Sequence, residues 1–111
     1  MPVQKRIELV ITGKVQGVGY RYSVKLKADS LGIRGYVMNQ HDGSVFATAQ
    51  GEISELNNFV KWCYIGPQEA LVRDIKKTFG TVKDFREFSV LYLFTSQYCI
   101  SSFLLIEDTR R

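Results

Sequence analysis

Residues 7–32 read Ile7-Glu8-Leu9-Val10-Ile11-Thr12-Gly13-Lys14-Val15-Gln16-Gly17-Val18-Gly19-Tyr20-Arg21-Tyr22-Ser23-Val24-Lys25-Leu26-Lys27-Ala28-Asp29-Ser30-Leu31-Gly32, and within them the hydrophobic period changes once. Ile7, Leu9 and Ile11 alternate with Glu8, Val10 and Thr12, the period of two expected of a strand that ends at Gly13. From Arg21 to Leu31 the apolar set Val24, Ala28 and Leu31 falls at i, i+4 and i+7 among Lys25, Lys27 and Asp29, which predicts a helix closed by Gly32. Tyr22 and Leu26 sit on the opposite face of that helix, and the apolar stripe does not account for them.

Outward from this strand, turn and helix, Gly35 to Asn39 and Ser44 to Gln50 are two β-prone runs flanking His41-Asp42-Gly43. Asp-Gly supplies the positive φ angles of a tight turn, so a β-hairpin is expected. Ser54 suits the N-cap of a second helix, Glu55 suits the positive end of its dipole, and Ile53, Leu56, Phe59, Val60 and Cys63 form its apolar stripe up to Gly66-Pro67. Leu71 to Lys76 and Glu87 to Tyr92 read as strands. The order β-α-β-β-α-β with one further strand predicts an α+β class: a ferredoxin-like βαββαβ sandwich, an antiparallel sheet with two helices on one face. One domain over residues 1–92 is expected, with residues 93–111 as an extra C-terminal segment.

Bulk properties limit what such a domain does. The chain has 111 residues, 45% of them hydrophobic, and a formal net charge of +4. Its pI is near 9.2. That charge favours anionic ligands, but Lys and Arg are spread along the chain instead of forming a basic run, so on charge a small phosphate-bearing molecule fits at least as well as nucleic acid. Met1 to Arg6 is polar and leads into a strand, and no apolar stretch approaches the roughly 20 residues of a membrane span, so a cytoplasmic protein without a membrane partner is expected. Cys63 and Cys99 form no CxxC or Cys/His ligand set, and both are expected to be reduced thiols.

The turn between strand and helix carries the chemistry. Three glycines, Gly13, Gly17 and Gly19, lie within seven residues, which frees the backbone to turn its amides toward one point. At a helix N-terminus such a loop makes a concave anion site without a metal. Arg21 stands where loop becomes helix, and its guanidinium can hold two phosphate oxygens in a planar fork. Glycine spacing alone fits a phosphate loop or merely a tight turn. It fits neither a Walker loop, since no Gly-Lys-Ser/Thr follows, nor a dinucleotide fingerprint.

The string Gly13 to Arg21 resembles the signature of the acylphosphatase family, GxVQGVxFR, with Tyr20 in place of the usual Phe. The resemblance continues through Leu31 to Asn39, Asp42 to Val45, Gln50-Gly51, Phe59 with Trp62, Gly66-Pro67, Ala70 with Val72, and Phe88 to Tyr92, and so covers residues 7 to 92. It implies hydrolysis of the mixed anhydride between a carboxylic acid and phosphate, without metal or other cofactor. It also implies that the amides of Gln16, Gly17, Val18, Gly19, Tyr20 and Arg21, with the Arg21 side chain, hold the phosphoryl group, and that inorganic phosphate is product and inhibitor. Asn39, which position alone would make a turn residue, becomes by resemblance the catalytic side chain that orients the attacking water.

Other residues carry less. His41, the only histidine, reads as a solvated turn residue; Cys63, Trp62, Phe59 and Phe88 read as core; Tyr20 is placed to shape the cradle wall, and Met38 to face away from the active loop. A different class of function, a non-catalytic anion-binding or RNA-binding module, shares the βαββαβ order. RNA-binding domains of that order need a Lys/Arg-Gly-Phe/Tyr motif on the third strand, and Ser44 to Ala49 lacks it. Leu93 to Arg111, with Tyr98, Ile100, Phe103, Leu104, Leu105 and Ile106, is too apolar for a solvated tail. An added strand or helix, a subunit contact in an otherwise monomeric protein, and a reading-frame artefact are the three readings open to it.

Overall fold

The computed structural model describes residues 3–93 and 105–107. Strand β1 (Gln4–Lys14) buries Ile7, Leu9 and Ile11 on one face, as their alternation predicts. It leads through the glycine-rich loop to helix α1 (Tyr20–Ser30), whose buried residues Tyr20, Val24 and Ala28 recur every fourth position. The helix ends in a Schellman arrangement: Ile33 N donates to Ala28 O at 2.9 Å and Gly32 N to Asp29 O at 3.2 Å. Gly32, at φ 69°, takes the left-handed conformation that this ending requires.

The hairpin follows as β2 (Arg34–Asn39) and β3 (Val45–Glu52), then helix α2 (Ile53–Ile65), β4 (Leu71–Gly80), β5 (Phe88–Leu93) and β6 (Leu105–Glu107). The strands form one sheet in the order β4-β1-β3-β2-β5-β6. Its ferredoxin-like core of β4, β1, β3 and β2 is antiparallel throughout. The expectation of a wholly antiparallel sheet needs one amendment: β5 runs parallel to β2, so the sheet is mixed. The chain leaves β4, crosses over, and enters β5 in the same direction as β2, which extends the sheet beyond the four-stranded core.

Element boundaries differ from the sequence reading at several points. Helix α2 begins at Ile53, with Glu52 rather than Ser54 at the cap and no side-chain cap bond, because β3 runs straight into it. Ile53 is accordingly exposed, outside the stripe of Leu56, Phe59 and Cys63. Strand β4 continues four residues past Lys76 to Gly80; Ile75 is its last buried residue, and Lys77 to Gly80 are held by main-chain pairing to β1 while exposed. Of the C-terminal segment, Leu105–Glu107 pairs antiparallel with Leu91–Leu93, and Cys99 and the rest lie outside the described residues.

The core lies between the sheet and the two helices. Phe59 meets Phe88 edge-on at 6.0 Å between ring centroids. The opposite face of the sheet is partly covered by the β4–β5 connection: the Gln50 amide donates to Lys83 O at 2.7 Å and accepts from Lys83 N at 2.8 Å. Beside it the Tyr36 and Phe85 rings meet edge-on at 6.2 Å.

Candidate active site

Register places the end of β1, the end of β2 and the end of β5 at one edge of the sheet. Ile11 pairs with Val45, Val45 with Asn39, and Met38 with Leu91. The loop leaving β1 therefore lies two strands from Asn39, with α1 starting above both. At Gly13 the pairing with β4 shifts register, and a Cβ there would collide with the Leu71 carbonyl. Glycine is thus needed at this irregularity of the ladder, after which Lys14 still pairs with Leu71 before the loop begins.

Gly19 is the N-cap of α1, at φ 76° and ψ 17°, and offers no side-chain cap. In the segment from Gln16 to Ser23, Ser23 is the first whose amide has a main-chain acceptor among the described residues, Gly19 O at 3.1 Å. Unpaired donors and the positive end of the helix dipole thus coincide at this point.

A cavity of about 140 Å³ opens here, lined by Val15, Gly17, Gly19, Tyr20, Arg21, Tyr22, Asn39, Val90 and Tyr92. At about 30 Å³ per water, it has room for a phosphoryl group with a water beside it. The Arg21 guanidinium donates to Leu91 O at 3.2 Å and lies over the Tyr92 ring, 4.5 Å from its centroid. Among the described residues no carboxylate forms an ion pair with Arg21. Oδ1 of Asn39 is buried and has no hydrogen-bond partner among the described residues. Leaving an acceptor in that state costs about 1–3 kcal/mol.

Gln16 and Val18 lie outside the cavity lining. Val18 packs half-buried against the core. The Gln16 side chain spends both amide hydrogens on the hairpin, donating to Gln40 O and to Ser44 O, each at 2.8 Å. Tyr20 is buried at the cavity wall, stacks on Trp62 at 6.4 Å, and donates its hydroxyl to Cys63 O at 2.7 Å. The atom that separates it from phenylalanine therefore has a buried partner in α2. Burial raises the Tyr20 phenol well above its usual range, which keeps that donor protonated. Burial likewise pushes the Cys63 thiol up to about 12, so it is a neutral core group.

Met38 and His41 lie on a separate surface with Gln40 and Asp42, and His41 is exposed. Among the described residues no three His, Cys, Asp or Glu side chains come together to hold a metal ion. No described helix is long and apolar enough to cross a membrane. The sequence reading missed Tyr22, Tyr92, Val15 and Val90 as lining residues. For Tyr22 a signal existed, since it is an aromatic that the apolar stripe of its own helix leaves out.

Fold and cavity together define a small ferredoxin-like α+β domain built around an anion-sized pocket at a helix N-terminus. Comparison with known proteins takes this to a family. The acylphosphatase family model matches residues 7–90. The chain is 44% identical over 85 residues to the acylphosphatase of Acaryochloris marina, spanning 77% of this chain and 91% of that one. It superimposes on the solved acylphosphatase of Bacillus subtilis with a TM-score of 0.78 at 34% identity, covering 79% of this chain and 99% of the other. For the acylphosphatase of Coxiella burnetii the TM-score is 0.76 at 34% identity, covering 78% and 92%. The chain belongs to the acylphosphatase family, and with it to the phosphate-binding hydrolases.

Proposed function

We propose that the protein hydrolyses the carboxyl-phosphate bond of acyl phosphates by in-line attack of a water positioned by Asn39 on a phosphoryl group held by Arg21 and the loop amides. The observation that carries this reading is the convergence of Arg21, Asn39 and the amides at the start of α1 on one small cavity. The amides and the guanidinium donate to the phosphoryl oxygens, where charge is concentrated as the reaction proceeds. The Asn39 amide, whose buried oxygen has no described protein partner, orients the water.

The water oxygen forms a bond to phosphorus while the bond from phosphorus to the acyl oxygen breaks, and the electron pair leaves with the carboxylate. That leaving group has a conjugate-acid pKa of about 4 to 4.5, so it departs at neutral pH without a general acid. The proton of the attacking water passes to a phosphate oxygen or to solvent, and the products are a carboxylate and inorganic phosphate. Positioning and charge stabilisation are what remain for the protein to supply. No step draws on a metal.

The test is release of phosphate from a simple aryl acyl phosphate, with and without chelator, and with added inorganic phosphate as inhibitor. Turnover that survives chelation and is inhibited by phosphate is expected. Phosphate binding without turnover would move the protein to the non-catalytic anion-binding reading, and loss of turnover with chelator would overturn the mechanism.

A further inference from the structure

Tyr20 joins the start of one helix to the end of the other. It stands between Gly19 and Arg21 in the cavity wall, while its hydroxyl reaches the last turn of α2. From Gln16 to Ser23 it is the one buried residue. Gly17 and Gly19, just before it, leave the backbone free to move. Gln16 ties the beginning of this stretch to the hairpin, and Tyr20 is what ties its end.

The side chain meets α2 where a carbonyl has lost its usual donor. In a continuing helix Cys63 O would accept from the amide four residues on, but that residue is Pro67, which has no N–H. The amide three residues on, Gly66 N, donates to Trp62 O at 2.8 Å. The Tyr20 hydroxyl donates to Cys63 O at 2.7 Å and so replaces the missing group. The ring is held as closely as the hydroxyl: Trp62 stacks on it with the planes 26° apart, and a Cβ at Gly66 would stand 3.0 Å from Cε1. Phenylalanine at position 20 would keep these ring contacts and leave Cys63 O without that donor.

We infer that the Tyr20 hydroxyl is a positioning group for the phosphate cradle, which through Cys63 O fixes the Tyr20 and Arg21 amides and the root of the Arg21 side chain against the end of α2. An anion then meets donors that are already ordered, and the cost of ordering them is not subtracted from its affinity. The inference rests on the anion-binding part of the proposed function and adds to it a residue that acts through a second helix.

The experiment compares wild type, Tyr20→Phe and Val60→Ala at a temperature where all three are folded. It measures the affinity for inorganic phosphate by calorimetry, KM and kcat for benzoyl phosphate, and the urea midpoint. Val60 is also on α2 and packs half-buried against the core, so its variant destabilises the helix without touching the tie. Tyr20→Phe is expected to weaken phosphate binding and raise KM together, roughly two- to ten-fold, the range that one hydrogen bond supplies. Its kcat should stay within about two-fold of wild type, because the cradle holds substrate and transition state alike. Val60→Ala is expected to lower the urea midpoint and leave phosphate affinity and KM unchanged. A lower urea midpoint in Tyr20→Phe with unchanged phosphate affinity and KM would make the hydroxyl a stability group and overturn the inference. Equal weakening of phosphate in Val60→Ala would overturn it too, since any loosening of α2 would then suffice. Phosphate binding without turnover in the wild type would remove the proposed hydrolysis and leave the calorimetric test of Tyr20 in force.

Discussion

Two short loops meet at the same edge of the sheet, Val15 to Gly19 before α1 and Gln40 to Ser44 between β2 and β3, and they use their polar groups in opposite ways. The hairpin loop closes on itself. Gln40 N donates to Ser44 O at 2.8 Å, Asp42 Oδ1 accepts from Ser44 N at 2.9 Å and from the Ser44 hydroxyl, and the Gln40 amide donates to that hydroxyl at 2.9 Å. The cradle loop makes almost no internal bonds, and before Ser23 its amides have no main-chain acceptor among the described residues. Gln16 joins the two, its side chain reaching from the open loop to two carbonyls of the closed one. A saturated turn can hold Asn39 still, and an unsaturated one can accept an anion; the proposed mechanism uses both.

The strongest way to break this pairing is to remove the side chain that the hairpin presents. Asn39→Ala should suppress turnover by roughly 10²-fold or more while inhibition by phosphate is retained. Because the variant also removes a buried acceptor without a described partner, its melting temperature should stay level or rise. Substantial residual turnover would remove Asn39 from the mechanism. On the cradle side, Arg21→Lys should weaken phosphate inhibition and turnover together, by roughly ten-fold each, since a planar fork is exchanged for a point charge. An unchanged inhibition constant would show that the loop amides alone anchor the anion.

Gln16→Ala cuts the tie between the loops. Loss of its two hydrogen bonds should lower the unfolding free energy by about 1–2 kcal/mol, measured by urea denaturation. Turnover should fall further than phosphate binding, because Asn39 and the cradle would lose their fixed separation. Equal losses in both would make Gln16 a stability residue only.

The smallest effect concerns the closed turn itself. Hydrogen bonds from the Ser44 hydroxyl and then the Ser44 amide hold the Asp42 carboxyl below its usual range. A folded pKa lower than the unfolded one gives stability that is present above the unfolded value, about 3.9, and is lost as pH falls through the folded value. Urea midpoints of wild type and Asp42→Ala should therefore differ at neutral pH and converge as pH drops below that range. A difference that persists in strong acid would mean that the contribution does not come from the carboxylate.

Much of the fold is legible where burial and periodicity agree. Ile7, Leu9 and Ile11 alternate because one side of β1 faces helices, and Val24 and Ala28 repeat because one side of α1 faces the sheet. Legibility fails where main-chain pairing acts without burial. Lys77 to Gly80 are exposed and carry no pattern, yet they belong to β4 because β1 has partners to offer. The start of α2 departs from its sequence pattern for a related reason: Ser54 is a good cap by side chain, but β3 delivers the chain directly at Glu52 and no side-chain cap is used.

By itself the sequence determined the α+β class, the strand-to-helix glycine loop, and Arg21 at the start of a helix, since these depend on local conformational freedom and on hydrophobic period. Only the tertiary structure decided what surrounds Arg21 and Asn39. The parallel pairing of β2 with β5 brings Leu91 and Tyr92 beneath the guanidinium, and the register of β1, β3 and β2 sets Asn39 beside the loop. Residues 21, 39 and 92 share no local period; they meet because hydrogen-bonded strands align their ends at one edge of the sheet, and strand pairing is a relation between distant segments that no single segment encodes.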